Sequence, residues 1–329
     1  MAVTESELKT YYAETNDDTA SNGGRMTATE LPATGTHTAW PSLTGAQRAA
    51  GVNQYRKIFW KNTNASDEAV SALFAHLWAP TDGGDEIYLF AGTQTDVQSG
   101  IGTPDLCGCG TLDSAVSATD TEIDVAVEDG AVISFRDGET LRISDMDDED
   151  DATGHEEFIV ISGTPTILGD VVTITLATPL ANDYSDTDTF VAACIDVGDM
   201  VASADAAVVT SASGTFDDGE VTAHNIGCIE EEVTLTFTSA TAFNAAGSVS
   251  GSLGSGNVST PFAPTNSDFA SAFFTIAAAA WGGTFATSDT VVIDFHPASA
   301  GIWEKRVTPA GTASFATSAR LHGITCTAA

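Results

Sequence analysis

Apolar and polar residues alternate in short runs along this chain, and Asn, Asp, Gly or Pro punctuate the ends of those runs. The run EVTLTFTS (232–239) is the cleanest case. Side chains on a strand point to opposite faces in turn, so a period of two packs one face and leaves the other polar. Similar runs are YRKIFWK (55–61), ALFAHLWA (72–79) and EIYLFA (86–91). Next come EIDVAV (122–127), TLRI (140–143), EFIVIS (157–162), VVTITL (171–176) and TFVAA (189–193), with Gly138 and Gly163 placed for hairpin turns. FFTIAA (273–278), TVVIDF (290–295) and IWEKRV (302–307) complete the set. The expected fold class is mainly β, as two to three serial β-sandwich or β-barrel domains. At 329 residues the chain is long enough for each to bury its own core. The expected divisions are 1–100, a polar arm plus a β-sandwich; 111–196, a small β-barrel or sandwich; and 204–329, a C-terminal β-sandwich. Residues 92–110, rich in Gly, Pro and Cys, read as a linker or hinge. The Gly/Ser-rich stretch 246–260 and the loop through Phe262, Pro264, Asn266 and Phe269 read as long loops, where inter-subunit contact is expected.

Charge narrows the setting. Acids outnumber bases 46 to 11, for a formal net charge of −35. The four lysines are Lys9, Lys57, Lys61 and Lys305, and between the last two only Arg136 and Arg142 are strong bases. Such a polyanion repels itself in dilute buffer, whereas molar salt shortens the Debye length to about 3 Å. The simplest reading is adaptation to high salt. An acidic protein of an ordinary host and a cation-binding surface are the alternatives. Direct nucleic-acid binding is not expected, because no basic stripe is present to neutralise phosphates. The opening MAVTESELKTYY lacks the basic and apolar regions of a secretory signal. The longest apolar stretch, near 273–281, falls short of the roughly 20 residues of a membrane span.

Motifs of catalysis are missing from the sequence: there is no GxSxG elbow, P-loop, dinucleotide fingerprint or HExxH. The six histidines are scattered. Cys107 and Cys109 lack a second CxxC or nearby histidines, so the five cysteines read as buried free thiols, with a Cys109 to Cys194 link as the alternative. An enzyme is not expected. The densest acid run, 145–156, sets Asp145, Asp147, Glu149, Asp151 and Glu156 at offsets close to those of a calcium loop. Asp150 stands where such a loop turns on glycine, and the flanks are β. Two readings stay open: a solvated hairpin loop, or a loose Ca2+ or Mg2+ site.

Two strands mix bases with aromatics in this acidic chain. Arg56, Lys57, Trp60 and Lys61 lie on one, and Trp303, Lys305 and Arg306 on the other. Either the bases pair with local acids or they dock an acidic neighbouring subunit. On a regular strand Trp303, Lys305 and Val307 share one face, and Glu304 and Arg306 the other.

Two regions carry a resemblance. The first comprises NGGRMTATE (22–30), LTGAQRAAG (43–51) and QYRKIFWKN (54–62). The second comprises TPFAPTN (260–266), AWGGTF (280–285) and IWEKRVTPAG (302–311). Both resemble the openings and endings of virion structural proteins of tailed phages and haloarchaeal tailed viruses. The resemblance implies packing and assembly roles and supplies no catalytic residues. It implies a homo-oligomer in contact with other virion proteins, and a host receptor as a further partner. It places the chain in the virion after synthesis in the host cytoplasm, in a tail or baseplate. A capsid-surface turret, spike or decoration protein is the alternative. A carbohydrate- or receptor-binding module is an alternative of another class, with Trp40, Trp60 and Trp78 as candidate sugar platforms.

Overall fold

The computed structural model describes residues 3–32, 39–81, 83–148, 151–314 and 322–326. Its regular structure is mainly antiparallel strand, in several sheets of sandwich type. Each alternating run named above forms a strand.

The N-terminal sheet has five strands in the order Gly23–Glu30, Leu8–Thr15, Val52–Asn62, Ser299–Thr308, Glu86–Ala91. This corrects the expectation of an unbroken C-terminal domain over 204–329. Ser299–Thr308 crosses back and pairs with Val52–Asn62 from Ser299 opposite Lys61 to Thr308 opposite Val52. The physical reason lies in its side chains. Ile302, Trp303 and Glu304 are consecutive and all buried, so both faces of the strand must be covered. Segments outside the sheet supply that cover, Trp40 on the side of Glu304 and Asp96 on the side of Trp303.

The polar arm is also no free arm. Asn22 is buried and donates to the Tyr55 carbonyl at 2.8 Å and to Gln98 Oε1 at 3.1 Å. Gly23 has φ +100°, and a Cβ there would lie 2.6 Å from Trp303 Cη2, so only glycine fits. The expected hinge at 92–110 folds back instead. Leu89 and Cys107 exchange backbone hydrogen bonds of 2.8 and 2.7 Å.

A seven-stranded sheet follows, in the order Thr166–Leu168, Val171–Thr175, Glu122–Ala126, Cys109–Leu112, Phe190–Ala193, Thr140–Ser144, Glu156–Val160. A bridge between Ile161 and Leu176 brings its far strand back to Val171–Thr175, as in a small barrel. Its interior, with Ile123, Val125, Leu141, Ile143 and Val191, is continuous with Ile58, Leu89 and Ile302 of the first sheet. The two units share one core.

The third unit is a six-stranded sheet. Ser203–Ala204 and Val208–Thr210 both pair with Thr290–His296, and Glu231–Phe237, Ala242–Gly247 and Gly251–Asn257 follow outward. Aromatic rings fill it: Phe237 stacks on Phe285 at 4.0 Å between centroids, and Phe274 on Phe295 at 4.3 Å. The Gly/Ser stretch expected as a loop is largely the outer strand of this sheet. Its glycines have a packing reason, since a Cβ on Gly256 would lie 2.3 Å from Phe243 Cζ. Among the described residues no helix is long and apolar enough to cross a membrane.

Candidate functional site

The few bases decide the electrostatics. Arg56, Lys57, Lys61, Arg142 and Arg306 are buried. Lys9, Arg25, Arg48, Arg136 and Lys305 are half-buried, so no lysine or arginine among the described residues is fully exposed. Among the described residues the solvent therefore meets carboxylates opposed only by half-buried bases.

On one face of the N-terminal sheet, Trp40 lies between two guanidinium groups, 4.9 Å from Arg56 and 4.5 Å from Arg306, measured to its ring centroid. Its Nε1 donates to Glu304 Oε2 at 2.6 Å. Arg56 also pairs with Asp18 at 2.8 Å, and Arg306 donates to Gln54 Oε1 at 2.5 Å. On the opposite face Lys57 Nζ donates to Asp96 Oδ1 at 2.5 Å and to the Gly24 carbonyl at 2.8 Å. Asp96 Oδ2 in turn accepts from Trp303 Nε1 at 2.8 Å. Burial pushes the Lys57 ammonium below its ordinary range, and Asp96 opposes that shift.

Lys61 differs from the others. It is fully buried, and its Nζ has no hydrogen-bond partner among the described residues. The Phe269 ring lies 5.0 Å away, and desolvation pulls the Lys61 pKa down to about 8.

These placements correct the expected assembly contacts. Arg56, Lys57, Lys61, Trp303 and Arg306 are enclosed within the chain, covered by Trp40 on one face and by Asp96 and Phe269 on the other, from segments that pack against these strands. Trp60 is half-buried against apolar clusters, and the half-buried Lys305 lies 6.0 Å from the Tyr88 ring. Of the candidate sugar platforms Trp40, Trp60 and Trp78, the last two are half-buried. Trp40 is buried, and Trp78 carries the Arg142 guanidinium at 4.0 Å.

In the acid run the carboxylates turn to different partners. Asp145 accepts from the His155 backbone N–H, and Glu156 takes Arg142 Nε at 2.5 Å. Asp151 closes a tight turn, accepting from the Thr153 N–H at 2.8 Å, the Thr153 hydroxyl at 2.7 Å and the Asp147 N–H at 3.3 Å. Those bonds, the Thr153 hydroxyl first, draw its pKa to about 2. Glu149 lies outside the described residues. Among the described residues no three His, Cys, Asp or Glu side chains cluster to hold a metal ion. Cys107, Cys109, Cys194 and Cys228 are free thiols, and burial pushes Cys107 and Cys228 up to about 12.

One concave feature was not expected from the sequence. A cleft of about 570 Å³ separates the strand Gly23–Glu30 from the outer hairpin and Pro-bracketed loop of the six-stranded sheet. Arg25, Met26 and Thr27 form one wall; Ser252, Leu253 and Phe269 belong to the other. Arg25 Nη1 donates to the Glu230 carbonyl at 2.5 Å and so ties the two units together beside it. The signal that pointed here was the Pro-bracketed loop, whose Phe269 covers Lys61.

No family model matches this chain, and no curated protein matches it. Among solved structures, "Structure of infectious bursal disease virus Gx strain" is similar at 12% identity and a TM-score of 0.12, over 78% of this chain and 69% of that one. A likeness of that size carries neither fold nor function.

Proposed function

We propose that the chain is a non-enzymatic structural protein of a tailed-virus particle from a halophilic host. It assembles as a symmetric oligomer with other virion proteins in the tail or baseplate; a turret, spike or decoration protein on the capsid surface is the alternative location. One observation carries the reading. The resembling segments at 22–30, 54–62 and 302–311 come from opposite ends of the chain, yet most of their residues fall in three strands of one five-stranded sheet. Segments that resemble a family at both ends thus build a single physical unit. The inward placement of the bases supports the halophilic part, since a shell of carboxylates suits a screened solvent.

Quantitative mass spectrometry of virus particles purified in molar salt, with a label on this chain imaged on the particle, tests the proposal. The expected result is a fixed copy number at one symmetric location. A chain found only in the host cell fraction would overturn it.

A further inference from the structure

Between Glu232 and Asp268 the sequence carries no charged residue at all, and between Asp268 and Asp289 none again. In a chain of net charge −35 that gap has a structural address. It spans the hairpin Ala242–Gly247 and Gly251–Asn257, whose second strand forms the outer edge of the six-stranded sheet. The edge is exposed, with Val249, Ser250 and Ser252 bordering the cleft described above and Ser248, Gly251, Gly254 and Ser255 exposed beside them. Exposed edges are usually guarded by charge or proline, because their unpaired N–H and C=O groups recruit other strands. Neither guard is present on Gly251–Asn257.

We infer that this uncharged edge, with the loop that follows it, is where a second copy of the chain docks. The inference rests on the assembly reading above and gives it a surface. Charge selects the occupant. A basic partner would be held by carboxylates, which the strand Gly251–Asn257 lacks, whereas a second copy meets no like charge along this strand, which lies in the longest uncharged stretch of the chain. Pairing edge to edge about a two-fold axis gives each copy the same partner surface, so the contact is self-complementary and closed. Main-chain hydrogen bonds supply the attraction, and Val249 and Leu253 add apolar contact. Gly254, at φ +95°, marks an irregular point in the strand, so the ladder runs in two short pieces on either side of it.

Sedimentation of the purified full-length chain in 3 M KCl, across a concentration series, tests this. The expected result is reversible association that weakens as salt is lowered, because distant carboxylates then repel over a longer range. The variant S252D/S255D places like charges across the axis and should raise the dissociation constant at least tenfold. Thr164→Asp, on an exposed loop of another sheet, should leave it unchanged. Circular dichroism checks that both variants stay folded. A wild-type chain that is monomeric at every concentration overturns the inference, as does a folded S252D/S255D variant that associates like wild type. Neither result bears on where a labelled chain sits on the particle, so failure of the surface and failure of the virion reading remain distinguishable.

Discussion

Lys61 is the residue whose physics is least compensated. Its ordinary pKa is 10.5 and burial brings it to about 8 in the fold. Between those values the unfolded chain binds the proton and the folded chain releases it, so this residue makes folding more favourable as pH rises through that window. Below about 8 its desolvation penalty is present in full. Lys61→Met keeps the volume and removes the charge, and should stabilise the protein at pH 7 by on the order of 3 kcal/mol. Chemical denaturation of both proteins at pH 7 and pH 10 checks this. The gap should close at the higher pH, and equal gaps would mean that Lys61 does not titrate there. Trp40 makes the opposite case. Trp40→Ala removes the ring that both Arg56 and Arg306 face, and the donor to Glu304, and should cost about 3–5 kcal/mol by the same assay. Alternation in the sequence correctly put Glu304 and Arg306 on the face opposite Trp303 and Lys305. It did not reveal that both faces are covered. The cover comes from Trp40, Asp96 and Phe269, which lie far from these strands in sequence, and strand periodicity carries no information about distant segments.

Strand positions were legible because each run had its own alternation and turn residues. Pairing partners were not. Gln54 and Arg306 bond across a separation of 252 positions, and no local pattern encodes such a register. The strand Ser299–Thr308 joins Val52–Asn62 to Glu86–Ala91, so the N-terminal sheet depends on the end of the chain. A chain ending at residue 297 should lose hydrogen-exchange protection over 52–62 and 86–91 while 231–237 keeps most of its own. Equal protection in the two proteins would refute that dependence. The hairpin Ala242–Gly247 and Gly251–Asn257 went unread for another reason. Glycine and serine are poor strand formers, and their tolerance here comes from the Phe243 ring beneath them.

Across the whole molecule, the sequence announced an excess of acid but not where the bases go. Placing Arg56, Lys57, Lys61, Arg142 and Arg306 in the interior leaves the surface more one-signed than the net charge alone implies. The cleft, the shared core and the uncharged edge all arise from how the units pack, which composition does not determine. The central claim is that this fold holds together by having its carboxylate shell screened. Thermal unfolding of the full chain at low and at molar KCl tests it most directly. The account predicts a melting temperature that climbs by about 10 °C or more between roughly 0.1 M and 3 M salt, with loss of cooperative unfolding at the lowest concentrations. A cooperative transition at the same temperature throughout would contradict it.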